Sequence, residues 1–362
     1  MFVKLLSVSL FKKGVVALFS LPIDQVLSGM KLAKPVLNMQ GTLLLDKDNV
    51  LDEKSITALR NAGAKRLWVT DEGSQFLKEQ GPQKVFQEIV RQLETVKEKT
   101  ILGKSFDVNL VNEVAQELVE QIVVNETPFA EMVRMKAAEN SILEHMVDVS
   151  ILSIIIAKSL GMDKLDMRFL CFGTLVHDIG QFLIPREILN KPTQLNDSEL
   201  KLIRKHPQFG YDILKNIDGV NKHALNITLQ HHERLDGSGY PNGIKVNSIA
   251  HFSRIVAIAD IYTAIIREKG YRRRLPIYEA GELLWAQAGI TLDRSLTSAF
   301  LNSVVAFPIR STVKLNNGVV AKVIAQNADF PMRPVVYADG EMVDLSENPT
   351  VFITEVIAYE SD

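Results

Sequence analysis

Seven side chains in five separate segments could share one piece of chemistry: His145, His177, Asp178, His206, His231, His232 and Asp260. All but His206 lie in or beside apolar runs, where an imidazole or carboxylate needs a partner. Taken singly, each reads as a hydrogen-bonded core residue; taken together, they read as groups that satisfy one another around metal. The densest stretch, HHERLDGSGYP from His231 to Pro241, closes an apolar run and predicts a helix end followed by a rigid loop. His177 and Asp178 are adjacent, and neighbours on a helix diverge by about 100°. The imidazole then reaches one ion while the two carboxylate oxygens reach between two, which makes Asp178 the expected bridging ligand. Five histidines and two carboxylates exceed one ordinary coordination sphere and predict two divalent ions. The donor mixture suits iron, manganese or zinc, and a single cysteine, Cys171, leaves no Cys cluster for structural zinc.

Two ions about 3.5 to 4 Å apart acidify a bridging water and polarise a phosphoryl oxygen, the chemistry of phosphate-ester hydrolysis. The anionic substrate then needs cations, and Arg254, Lys269, Arg272 and the Arg273-Arg274 pair are near Asp260 in sequence. The whole chain is not basic. Its formal net charge of -2 excludes a broad phosphate-binding face for DNA but admits a small anionic ligand in a local pocket.

The elements that must position these residues follow from pattern. With 46% hydrophobic and 23% charged residues, the 362-residue chain reads as an ordinary globular protein of several domains. Residues 1–80 mix β-prone runs at 15–19, 43–45 and 66–69 with one helix at 51–62, a small α+β module with no chemical constellation. Residues 81–128 carry helical spacing and are expected to be connecting helices that could also pair two copies of the chain. Residues 129–306 are helical and hold all seven histidines. Helices are expected over 129–160, ending at Gly161, over 166–182, and from an Asn196/Glu199 capping box as far as His206, which Pro207 should place at a kink. Residues 307–362 return to short strands, with a hairpin signal at Asn317-Gly318, and form a β-rich tail. The fold class is therefore mainly α.

No stretch is a membrane span: the apolar run 151–160 is short and broken by Lys158. Lys12-Lys13 before apolar residues 15–23 has the look of a secretory signal, but no small-x-small site follows, and the stretch is read as a strand entering the first domain. One cysteine fits a reducing, cytoplasmic setting.

Residues 129–306 resemble an HD-GYP domain, a branch of the HD metal-dependent phosphohydrolases associated with cyclic di-GMP hydrolysis. The resemblance rests on His177-Asp178-Ile179-Gly180, Lys191-Pro192 with Leu195, His206-Pro207 with Gly210, the HHERLDGSGYP stretch, and Ala259-Asp260-Ile261-Tyr262. It implies a phosphodiesterase that opens cyclic di-GMP or a related cyclic dinucleotide to linear pGpG or GMP, in a bacterial signalling setting with a protein partner. It also implies the same seven metal ligands, and places Gly239 and Tyr240 beside the nucleotide. Some members hold a third ion through a glutamate one turn before the first histidine; Ser141 stands there, so two ions are expected. Two positions depart from the pattern. Gln181 replaces a lysine able to contact phosphate, and Thr263 replaces an aspartate able to handle a proton. Lys269-Gly270-Tyr271-Arg272 stands where the family has Arg-Pro-Tyr-Arg. These departures raise the alternative of a domain that binds metal and nucleotide but signals as a receptor.

Overall fold

The computed structural model describes residues 18–23, 26, 30–37, 42–70, 82–124, 133, 141–191, 193–267, 275, 277–305, 307, 309–327 and 329–358. Its contacts divide the chain into two units, Met1–Lys84 with the last two residues, and Val85–Glu360.

In the first unit β1 (Leu18–Pro22), β5 (Arg66–Thr70) and β2 (Lys31–Leu32) form an antiparallel sheet in the order β1-β5-β2, and β3 (Val36–Leu37) pairs with β4 (Leu43–Leu45). Of the strand expected at 15–19, residues 15–17 lie outside the described residues, and the described strand runs from Leu18 to Pro22. Helix α1 (Glu53–Asn61) starts at a capping box in which Asp52 and Ser55 satisfy each other's backbone N–H, and it buries Ile56 and Leu59. These two pack with Met30, Leu32, Leu51, Leu67 and Val69 in a core of their own.

The second unit is built on α4 (Ile142–Ser159), which is buried on every face from His145 to Ala157. A helix apolar all round belongs at the centre of a bundle. Around it pack α3 (Val108–Val124), α5 (Lys164–Val176) and α9 (His251–Ile266), while α2 (Pro82–Ile101) adds Phe86, Ile89, Leu93 and Val96 to the same core. Cys171 is buried in that core and its thiol is pushed up by burial, so it stays an inert apolar side chain. Of the helix expected at 129–160, Val133 is helical, and a separate described helix starts at Ile142, where the Ser141 hydroxyl accepts from Glu144 N–H as an N-cap. The helix expected over 166–182 is broken. It runs as α5 from an Asp163 N-cap to Val176, and a 3-10 turn resumes at Ile179–Leu183. Likewise the helix opened by Asn196 ends at Ile203 as α6 (Asp197–Ile203), and α7 (His206–Leu214) begins afresh with Pro207 in its first turn. Helix α8 (Lys222–Gln230) leads to the His231-His232 pair.

After α10 (Ile277–Gln287) and α11 (Arg294–Phe300), the chain closes with an antiparallel sheet in the order β10-β6-β7-β8-β9. Its strands are β6 (Thr312–Leu315), β7 (Val320–Ala325), β8 (Val335–Ala338), β9 (Glu341–Asp344) and β10 (Ile353–Ala358). Gly318 takes φ +88° in the β6–β7 turn, the left-handed conformation that a side chain resists. Val313, Val323, Val336 and Ile353 join the helical core, so the sheet shares one interior with the helices. Among the described residues no helix is long and apolar enough to cross a membrane.

Candidate metal centre

Each of the seven ligand candidates is delivered by the end or the buried face of an element. His145 lies in the first turn of α4, and Asp260 lies midway along α9 on a buried face. His177 closes α5, and Asp178, at φ -101° and ψ 13°, occupies the break before the 3-10 turn. The two do not share a continuous helix, so the expected 100° divergence is replaced by a backbone turn that swings the carboxylate inward. Gly180 makes that turn sterically feasible: a Cβ there would lie 2.0 Å from His206 O and 2.5 Å from Gly210 N. His206 is therefore held against the 3-10 turn by backbone contact. His231 closes α8, and the loop behind His232 is tied down by Glu233, whose buried carboxylate accepts from Asn242 N–H (2.8 Å) and Ile244 N–H (3.1 Å).

All seven side chains converge. Asp178 Oδ1 faces His206 Nε2 at 3.1 Å and His231 Nε2 at 3.6 Å, while its Oδ2 faces His177 Nε2 at 3.4 Å and His145 Nε2 at 3.7 Å. Asp260 spans the same division, with Oδ1 at 2.9 Å from His145 Nε2 and Oδ2 at 3.5 Å from His232 Nδ1. Two groups with metal-ligand spacing result, His145-His177-Asp178 and Asp178-His206-His231-His232, sharing Asp178.

The protonation pattern fits metal. His177 Nδ1–H donates to Thr174 O (2.7 Å), His206 Nδ1–H to Ile203 O (2.7 Å), and His231 Nδ1–H to Ile227 O and Thr228 O (both 3.0 Å). A carbonyl can only accept, so each Nδ1 carries a proton and each ring turns its Nε2 into the cluster. His177 Nε2 and Asp178 Oδ1 are buried without a well-formed hydrogen bond, as expected of donors shaped for an ion. Burial pushes the His177 imidazole down to about 4, against the pull of Asp178, and the neighbouring imidazoles add to the depression. Burial likewise holds His232 well below its ordinary value. For Asp178 and Asp260 burial favours the protonated form, but the surrounding imidazoles outweigh it and hold both carboxyls well below the usual range. Neutral imidazoles around ionised carboxylates are the ligand state of a divalent cation.

The mouth is made by the loop after His232. Tyr240 stacks on the His232 ring with centroids 4.6 Å apart, and the Arg204 guanidinium lies 5.5 Å from the Tyr240 centroid. Gly239 permits the tight approach, since a Cβ would come within 2.5 Å of His232 O and the Arg234 backbone N. Burial, assisted by Asp260 and Asp178, raises the Tyr240 phenol, which stays neutral. Arg234 is half-buried, donates to His231 O and Glu233 O, and is near enough to Asp260 and Tyr240 for its charge to bear on both.

The cations expected from sequence fare differently. Arg254 turns away: its Nε donates to Ile249 O (3.0 Å) and its Nη2 to Val246 O (2.9 Å), and it pairs with Asp293 at 3.4 Å. Lying six residues before Asp260, it falls on another side of α9, which is why sequence proximity misleads. Lys269, Arg272, Arg273 and Arg274 lie outside the described residues. Gln181 sits half-buried in the 3-10 turn beside Asp178, and the buried Thr263 hydroxyl donates to Asp260 O at 2.8 Å, within its own helix. Arg204 and Arg234 were missed in the sequence, although each stands within two residues of a ligand histidine.

Fold and cluster define a protein of the HD class: residues 117–296 match the model of the HD domain, and residues 312–361 match that of a KOW domain associated with the HD domain. With the Gly239-Tyr240-Pro241 loop in place beside the histidines, the chain belongs to the HD-GYP family. It is 30% identical over 235 residues to the cyclic di-GMP phosphodiesterase PA4108 of Pseudomonas aeruginosa, covering 65% of this chain and 56% of that protein. It is 37% identical over 141 residues to the 3'3'-cGAMP-specific phosphodiesterase 1 of Vibrio cholerae, covering 39% of this chain and 32% of that protein. The chain thus spans about half, or less, of the length of these relatives. Among solved structures, Bd1817, an HDG"Y"P protein from Bdellovibrio bacteriovorus, superposes with a TM-score of 0.52 at 18% identity, covering 78% of this chain and 98% of that one. That likeness is one of fold.

Proposed function

We propose that this protein is a metal-dependent phosphodiesterase that opens a cyclic dinucleotide, cyclic di-GMP first, to linear pGpG or GMP. The observation that carries the reading is the arrangement of Asp178 and Asp260, each with one oxygen turned to each of the two histidine groups. His145 and His177 would hold one divalent ion, His206, His231 and His232 the other, with iron or manganese preferred and zinc third. Such a pair, when bound, acidifies water and polarises a phosphoryl oxygen for in-line displacement.

The chain's own residues do the rest. Backbone carbonyls keep His177, His206 and His231 in the tautomer that offers Nε2. Tyr240, a neutral phenol stacked on His232, presents a flat face on which a purine can lie. Arg204 and Arg234 supply positive charge beside that face, the part first assigned to Arg254 and to the missing lysine at Gln181. Cytoplasmic placement, a homodimer and a signalling partner belong to this same reading.

A second reading is favoured by Gln181 and Thr263: a receptor that holds metal and nucleotide but turns over slowly. Losing one charged contact or one proton relay typically costs a factor of about 10² to 10⁴. The test is to purify the protein anaerobically, count its metal, and follow cyclic di-GMP and 3'3'-cGAMP over time beside Asp178→Ala. Hydrolysis by the wild type that falls by a factor on the order of 10³ in the variant, with loss of metal, supports the enzyme. Bound but intact nucleotide on metal-loaded protein supports the receptor, and wild-type protein that takes up no metal sinks both.

A further inference from the structure

Helices α4 and α9 each carry one ligand of the cluster, His145 and Asp260, and these meet at 2.9 Å. The same two segments are joined a second time. Asp148, three residues after His145, forms an ion pair with Arg267, which closes α9 seven residues after Asp260, and both side chains are 0% exposed. Arg267 follows the last turn of α9 in extended backbone (φ -114°, ψ 146°), and from there its side chain reaches Asp148 on α4. Thr263, itself fully buried, has its hydroxyl turned onto Asp260 O.

Apolar surfaces alone leave two such helices free to slide or rotate by small amounts. A buried ion pair is costly to desolvate, contributes little net stability, and is geometrically demanding. We propose that the Asp148–Arg267 pair is a positioning device: it sets the register of α4 against α9 and so holds His145 and Asp260 at the separation the metal centre needs. This inference rests on the cluster being a metal site.

The test replaces the pair by apolar groups of similar volume, Asp148→Leu with Arg267→Met. The melting temperature is expected to hold or rise, while cobalt(II) binds at least about tenfold more weakly and its visible d–d spectrum changes. A purely structural pair would leave the cobalt affinity and spectrum of the folded protein alone, whichever way the melting temperature moves. Should the double variant not fold, Arg267→Lys carries the test, since it keeps the charge and loses the fork; unchanged cobalt affinity there overturns the proposal. Wild-type protein that binds no cobalt removes the metal reading and this inference together, whereas an intact spectrum in the double variant removes this inference alone.

Discussion

Asp178 is 2% exposed and meets two imidazoles through each oxygen, an arrangement in which neither oxygen can be replaced without breaking one half of the site. Around it the useful distinction is between residues that face the cluster and residues that merely stand near it in the chain. Arg254 is committed to two carbonyls and Asp293, whereas Arg204 stands over the Tyr240 ring. Arg204→Gln should therefore raise KM for cyclic di-GMP about ten- to hundredfold, the loss of one charge-assisted contact, with metal content unchanged. Arg254→Gln should alter thermal stability and leave KM where it was. The reverse outcome, measured by steady-state kinetics with metal analysis on both variants, would move the phosphate contact back to Arg254.

The elements bring the ligands together by ending where they do. Helix α5 stops at Val176, α8 stops at Gln230, and α7 starts at His206, so three histidines of the cluster stand at helix termini. Gly180 is the contact that brings two of these ends together. Gly180→Ala must push the 3-10 turn off α7, and an overpacking cost of about 1 to 3 kcal/mol or more is expected, together with loss of metal from the His206 group. Asn196→Ala, at the capping box of α6, should cost about 1 kcal/mol and leave metal content alone. Chemical melts and metal counts on the two variants check the contrast, and equal metal content in both would show that backbone contact at Gly180 does not set the site.

For the molecule as a whole, the cluster links folding to pH and to metal. His177 is depressed by burial from 6.5 to about 4, so between those values the unfolded chain binds the proton and the folded chain does not. Stability of the metal-free protein should accordingly fall as pH drops from about 6.5 towards 4. The carboxyls of Asp178 and Asp260, held below the usual range, act in the same direction below about 4. Denaturant melts in chelator at several pH values test the sign; stability that rises on acidification contradicts it. Metal at about 100 times its Kd should add about 2.7 kcal/mol near neutral pH and steepen the loss on acidification, since protons then compete with the ion for the same nitrogens.

The mainly helical class, the closing sheet and the seven residues that converge were all legible in the chain, because an imidazole or carboxylate in an apolar run has few ways to be satisfied. His206 was placed at a junction by Pro207 alone, and the Asn196 box by its spacing. Periodicity reports which face of an element is buried, however, and not which neighbour it meets. The break between Val176 and Ile179, the partition of Asp178 and Asp260 between two histidine groups, and the turning away of Arg254 depend on packing between segments far apart in sequence. So does the Asp148–Arg267 pair, whose partners are 119 residues apart. Local pattern determined which side chains converge; tertiary contact decided how they face one another, because distance across a core has no periodicity to read.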